Sequence, residues 1–237
     1  MNSWREDQFQ ALLEKRSEQE LFDEAAAIAK SMGFEYCAYG IRMPVPISRP
    51  AVAMFNNYSL DWQQCYQERG FLEIDPTVQH GLRSVLPLLW SSETVENSPE
   101  FWEEARAHGL HFGWAQAARD AAGAVGMLTL ARGNDDVSSQ EFDANKYKMA
   151  WLAQVVHVGM SGLLTPKMAP ESGVLLTSRE REVLRWTAEG KTAYEVGQIL
   201  AVSERTVNFH INNVVAKLGA SNKIQAAVKA ASLGLLF

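Results

Sequence analysis

Apolar and polar positions alternate with two different periods along this chain. EQELFDEAAAIAKSMG (Glu18 to Gly33) carries an apolar stripe at helical spacing and stops at a glycine. EYCAYGIR and AVAMFNN read as strands, LDWQQCYQERG and PEFWEEARAHGL as helices, and AVGMLTLAR as a strongly apolar strand. EFDANKYKMAWLAQVVHVGMSGLL closes this region as one long helix. Strands enclosed by helices at both ends predict a central sheet covered on both faces, an α-β-α sandwich within an α+β chain. TPKMAPESG, with two prolines and a glycine, reads as a linker. The predicted division is 1–164, a linker at 165–174, and a second domain at 175–237.

The last segment is purely helical in pattern. Thr177-Ser-Arg-Glu180 is a capping box opening SREREVLRWTAEG, and Thr192-Ala-Tyr-Glu195 repeats it ahead of AYEVGQIL, where Val196, Ile199 and Leu200 share a face. After a short AVS turn with Ser203 as N-cap, ERTVNFHINNVVAKLG places Val207, Ile211, Val214 and Leu218 on one stripe. NKIQAAVKAASLGLL gives the last helix of a four-helix unit containing a helix-turn-helix.

The polar remainder of the third helix points to nucleic acid. Arg205, Thr206, Asn208, His210, Asn212 and Lys217 lie off the apolar stripe, with Lys191 just upstream. Asn can pair bidentately with adenine, Arg and Lys with guanine or phosphate, and the Thr methyl can touch thymine. Asn is a poor helix former, so Asn208, Asn212 and Asn213 within one helix are not explained by helix stability.

Bulk charge first argues the other way, since the chain carries −6 overall. From Val174 onward, however, eight Lys/Arg face five Asp/Glu, a net of +3, against −9 for the rest. One domain is therefore suited to phosphates and the other is not. Cys37 and Cys65 lack a CxxC spacing and read as thiols of a reducing cytoplasm. The sequence holds no secretory signal and no run long enough for a membrane span. His108 and His111 lack the acidic or cysteine partners of a metal site and read as cap or packing residues. GxSxG, GxGxxG and P-loop patterns are missing, which argues against an enzyme.

LTSREREVLRWTAEGKTAYEVGQILAVSERTVNFHINNVVAKLGASNKIQA resembles the DNA-binding module of LuxR-type regulators, with Glu180, Leu184 and Gly190 at the family's signature positions. The N-terminal half resembles the acyl-homoserine-lactone-binding domain of quorum-sensing regulators, with Trp62, Tyr66, Asp75, Pro76, Trp90 and Gly113 at the matching positions. FEYCAYGIRMPVPISRPAVA is similar in wording to the CepR/SolR-like branch.

The resemblance implies a pocket in which Asp75 accepts the ligand amide N–H, Trp62 donates to the lactone carbonyl and Tyr58 to the acyl carbonyl. Thr77 and Thr129 join it as polar contacts, and Tyr66 and Trp90 as aromatic walls. It implies no cofactor, an acyl-homoserine lactone with an octanoyl-like tail as ligand, and Lys191, Arg205, Thr206, Asn208, His210, Asn212 and Lys217 toward DNA. It further implies a homodimer on a pseudo-palindromic double-stranded promoter site, acting as an activator, cytoplasmic and without membrane contact. Dimer contacts are expected from the helix around Trp151 to Leu164 and from Ala226, Ala227, Ala230 and Ala231. The alternative is a solo regulator that answers a different small molecule or acts without one.

Overall fold

The computed structural model describes residues 6–91 and 98–237. The chain forms two compact units. One comprises Met1–Arg42, Val52–Asp120 and Val125–Leu164, and the other Thr165–Phe237 with the segments Met43–Ala51 and Ala121–Ala124.

In the first unit, α1 (Glu6–Leu13) and α2 (Glu18–Ser31) precede β1 (Tyr36–Arg42) and β2 (Val52–Asn56). Then come α3 (Leu60–Glu68), a 3₁₀ turn at Phe71–Glu73, α4 (Pro76–Arg83), β3 (Leu88–Trp90) and α5 (Pro99–Ala107). β4 (Phe112–Arg119), β5 (Val125–Arg132) and α6 (Ser139–Met168) follow. The sheet is antiparallel throughout, in the order β2-β1-β5-β4-β3. The mixed α+β class and each element expected above are present. Four elements lay outside the expectation: α1, α4, β3 and β4.

Register assigns the side chains to two unlike faces, because directly paired residues point the same way. One face carries Cys37, Tyr39 and Ile41 of β1 beside Leu128 and Leu130 of β5 and Trp114 of β4, every one of them at most 1 % exposed. It packs α2 through Phe22, whose ring lies 6.2 Å from Phe55. α6 adds His157, whose Nδ1 meets the Tyr39 hydroxyl at 2.9 Å, and Ser161, which donates to Asp120. Gly126 makes room for this ring against the sheet: a Cβ there would run into His157 and the Tyr39 hydroxyl. Burial pushes the Cys37 thiol up to about 12, so it is inert packing.

The opposite face carries Tyr36, Ala38, Gly40 and Arg42 of β1, Ala115 and Ala117 of β4, and Met127 and Thr129 of β5. Along β1 these residues are half-buried while their neighbours on the other face are fully buried. Small side chains dominate the centre of this face, so its helices α3, α4 and α5 stand over a shallow floor. Gly113 leaves room on this face for the indole of its cross-strand partner Trp90, since a Cβ there would collide with that ring and with the Leu130 carbonyl.

The second unit contains a 3₁₀ turn at Pro170–Gly173, then α7 (Ser178–Ala188), α8 (Ala193–Leu200), α9 (Glu204–Lys217) and α10 (Lys223–Ser232). Both capping boxes are formed, and Ser203 caps α9 by accepting from the Thr206 N–H. Val207, Ile211, Val214 and Leu218 are buried, as their stripe requires. Ile199 departs from expectation and is 45 % exposed, because α8 instead turns Val196 and Gly197 inward. Ala226, Ala227 and Ala230 also depart from their expected part in dimer contacts: they are buried with Leu184, Val214 and Leu218. Their small side chains let α10 lie close against α7 and α9. The outward residues of α10 include Ile224, Val228 and Ala231. Residues 165–174 hold the last turn of α6, with Pro166 inside the helix, and the 3₁₀ turn.

Gly113→Ala is expected to overpack the Trp90 contact and to cost about 1–3 kcal/mol, the usual range for inserting carbon into a filled core. Reversible denaturant unfolding of the variant checks it.

Candidate ligand pocket and nucleic-acid interface

The small-residue face of the sheet is walled by aromatic residues at fixed geometry. Trp62 on α3 is 2 % exposed, with ring centroids 5.7 Å from Tyr66, 5.8 Å from Phe71, 5.9 Å from Phe101 and 5.3 Å from His108. Trp90 on β3 stacks on Trp102 at 5.1 Å, and Tyr58 lies 5.9 Å from Tyr36. Trp62, Trp90, Tyr58 and Tyr66 thus belong to one cluster. His108 is the C-cap of α5 and its Nδ1 meets the Glu104 carbonyl at 2.8 Å. No group of His, Cys, Asp and Glu that could hold a metal occurs among the described residues.

Asp75 sits at the edge of this cluster as the N-cap of α4, 7 % exposed. Its Oδ1 accepts from the Thr77 N–H at 2.8 Å, the Thr77 hydroxyl at 2.7 Å and the Val78 N–H at 3.4 Å. Its Oδ2 accepts from the Tyr66 hydroxyl at 3.0 Å. A carboxylate offers about four acceptor positions, two per oxygen. Oδ1 is saturated, and Oδ2 retains capacity for one more donor. Burial raises the Asp75 carboxyl above its ordinary value, opposed by the hydrogen bonds from Thr77, Tyr66 and Val78. Tyr66 and Tyr58 are both pushed up by burial and by the Asp75 charge, so both remain neutral donors.

Thr77 is 4 % exposed, and its N–H and hydroxyl are both committed to Asp75, which makes it a support for the carboxylate. Thr129 is 8 % exposed and stands mid-floor, between Ala38 and Ala115 in register. The expected residues Tyr58, Trp62, Tyr66, Asp75 and Trp90 are gathered by α3, α4 and β3, with Thr77 beneath the carboxylate. Tyr36, Phe71, Phe101 and the floor of Ala38, Gly40, Ala115 and Ala117 were not foreseen. The floor had a readable signal, since Gly113, Ala115 and Ala117 alternate at strand period.

On the second unit, α9 presents Arg205, Asn208, Phe209, Asn212 and Ala216 outward on one face. Thr206 is half-buried, with its hydroxyl 2.8 Å from that of Ser203, and so reinforces the N-cap. His210 is half-buried against Phe209. Lys217 donates to the buried Glu180 carboxylate at 2.7 Å and to the Leu175 carbonyl at 3.3 Å. Burial opposes the Glu180 charge, yet the hydrogen bonds from Lys217 and Thr177 hold its pKa below the ordinary value.

Other cations are similarly occupied. Arg179 pairs with Glu182, Arg181 and Arg185 donate to the Leu235 and Leu236 carbonyls, and Lys229 pairs with Glu171. Among the described residues, Lys191 and Arg205 are exposed cations without a hydrogen-bonded internal partner, although the Lys191 charge acts on the exposed Glu195.

Comparison with known proteins agrees with both halves. Residues 17–159 match the autoinducer binding domain family, and residues 174–230 match the family of bacterial regulatory proteins named for luxR. Transcriptional activator protein SolR of Ralstonia solanacearum is 50 % identical over 231 residues, 98 % of each chain. Transcriptional activator protein AnoR of Acinetobacter nosocomialis is 48 % identical over 238 residues, the full length of both. The solved structure of SdiA in complex with octanoyl-rac-glycerol superposes with a TM-score of 0.84 at 34 % identity, covering 99 % of this chain and 96 % of that one. These relatives are regulators rather than enzymes.

Two variants of Asp75 separate its tasks. Asp75→Ala removes a helix cap and is expected to cost about 0.5–2 kcal/mol. Asp75→Asn keeps the capping oxygen and removes a buried charge. The raised carboxyl pKa means that this group's contribution to stability is lost as pH rises through it, so wild type should lose stability relative to the Asn variant as pH rises. Thermal unfolding of both proteins across pH 4–8 checks the pair. In the second unit, Lys217→Ala should lower the melting temperature, because it strands Glu180. Lys191→Ala should leave melting unchanged and lower the salt dependence of DNA binding by about one phosphate contact.

Proposed function

The chain belongs to the LuxR family of bacterial transcription regulators and carries an autoinducer-binding domain, and on that premise we propose that it is an acyl-homoserine-lactone receptor. The observation that carries this reading is the unlike side-chain size on the two sheet faces. One face is filled by large side chains, while the other offers a floor of Ala38, Gly40, Ala115 and Ala117 beneath aromatic walls and a buried carboxylate.

The chemistry of the walls matches the polar inventory of the ligand. An acyl-homoserine lactone brings one amide N–H and two carbonyls into a buried site, where an unpaired polar group costs about 1–3 kcal/mol. Asp75 Oδ2 takes the N–H, the Trp62 indole N–H donates to the lactone carbonyl, and Tyr58 donates to the acyl carbonyl. Tyr66 holds the carboxylate in aim, Thr77 supports it, and Thr129 adds a hydroxyl from the floor. Trp90 closes the wall. The eight-carbon acyl group held by SdiA supports an octanoyl-like tail. The same structure favours a second reading, an acyl ligand without a lactone, because octanoyl-rac-glycerol has neither lactone nor amide.

The ligand unit spans 1–164, the linker 165–174 and the DNA unit 175–237. The protein acts as a homodimer that sets two α9 helices about 34 Å apart on a pseudo-palindromic site. Tyr147, Trp151 and Val158, exposed along α6, supply an apolar seam for that dimer. Lys191 and Arg205 meet phosphate or guanine, and Asn208 and Asn212 read bases. Thr206, His210 and Lys217 hold α9 in place at that interface. Activation is the direction favoured by the names of SolR and AnoR. The protein works in the cytoplasm, beside its DNA; no helix among the described residues is long and apolar enough to cross a membrane.

The test is thermal melting with C4 to C12 acyl-homoserine lactones and with octanoyl-rac-glycerol. A ligand at 100 times its Kd stabilises by about 2.7 kcal/mol. The largest rise is expected with the C8 lactone, reduced in Asp75→Asn. A rise with octanoyl-rac-glycerol alone would establish the second reading, and no rise with any compound would contradict both.

A further inference from the structure

α9 carries an aromatic side chain that the core does not use. Phe209 is 60 % exposed, whereas Val207 and Ile211 on either side of it are buried. An exposed phenyl ring keeps apolar area in water, a cost that a partner surface would relieve. Its surroundings define that partner. Arg205, Asn208 and Asn212 share its face, and no acidic residue stands among them. The ring lies in the second turn of a helix that begins at Glu204, in the N-terminal half that meets base edges in a helix-turn-helix. His210 steadies it edge-on at 5.5 Å.

We propose that Phe209 reads the 5-methyl group of thymine in the major groove. This inference rests on the DNA-binding reading above. Among the four bases, thymine alone presents an apolar group on the major-groove edge, and a phenyl ring has no donor or acceptor with which to read the others. Phe209 therefore sets preference for thymine at a position next to those contacted by Asn208 and Asn212, through burial of a methyl group.

Deoxyuridine, which is thymidine without the methyl, gives the test. Full-length protein with octanoyl-homoserine lactone is used to enrich a site from a random duplex pool. Each thymine of that site is then replaced in turn, symmetrically in both half-sites, by deoxyuridine. At one or more positions the wild type is expected to lose about fourfold affinity per methyl removed, the equivalent of about 0.8 kcal/mol. F209A should melt like wild type and bind the thymine and deoxyuridine sites equally at that position, while F209L should keep part of the preference. A wild type indifferent to every replacement overturns the proposal, and so does an F209A that retains the penalty. An F209A with unchanged DNA affinity but lost transcription in vitro overturns it by assigning the ring to a protein partner. A wild type that enriches no sequence under any ligand condition overturns the DNA-binding premise itself, and this proposal with it.

Discussion

The carboxylate of Asp75 ties together the parts of the first unit that matter for function. One oxygen caps α4 through Thr77 and Val78, and the other holds the Tyr66 hydroxyl of α3. Two helices are thereby fixed over the sheet by a single buried charge. Charge in that position is costly, and its raised pKa reports the cost. In the proposed reading, the remaining acceptor position on Oδ2 selects a ligand with a donor in a place lined by aromatic rings.

The sheet divides its labour by residue size. Tyr39, Trp114, Leu128 and Leu130 fill one side, and α6 fastens to it through the Tyr39–His157 contact. The other side replaces bulk with Ala and Gly. This explains how much was legible beforehand. Long amphipathic runs such as 18–33 and 141–164 carry enough periodic signal to be read without a structure. β4 escaped because its small alternating residues have little hydrophobic contrast, and α4 because Asp-Pro reads equally well as a turn. The aromatic residues and Asp75 were legible through family resemblance. Their partners Phe71, Phe101 and Tyr36 were not, because contacts between elements leave no spacing in the sequence.

The second unit shows a similar limit for charge. A surplus of +3 was legible as a signal for nucleic acid, yet most of those cations hold the fold. Lys217 neutralises Glu180, Lys229 ties Glu171 to the end of α9, and Arg181 and Arg185 fasten the C-terminal backbone. Counting charges cannot distinguish a cation facing solvent from one facing a buried carboxylate. The alanines of α10 illustrate the same ambiguity for packing, since small residues suit a dimer seam and a tight core equally well.

The central claim is that a small acyl ligand fills the space over the small-residue face of the sheet. Amide hydrogen exchange on the full-length protein, with and without octanoyl-homoserine lactone, tests it most directly. Slower exchange is expected in α3, α4 and the strands β1, β4 and β5 that form the floor, with the interior amides of α7 and α9 little changed. Unchanged exchange across α3, α4 and the floor at saturating ligand, or protection confined to the second unit, would contradict it.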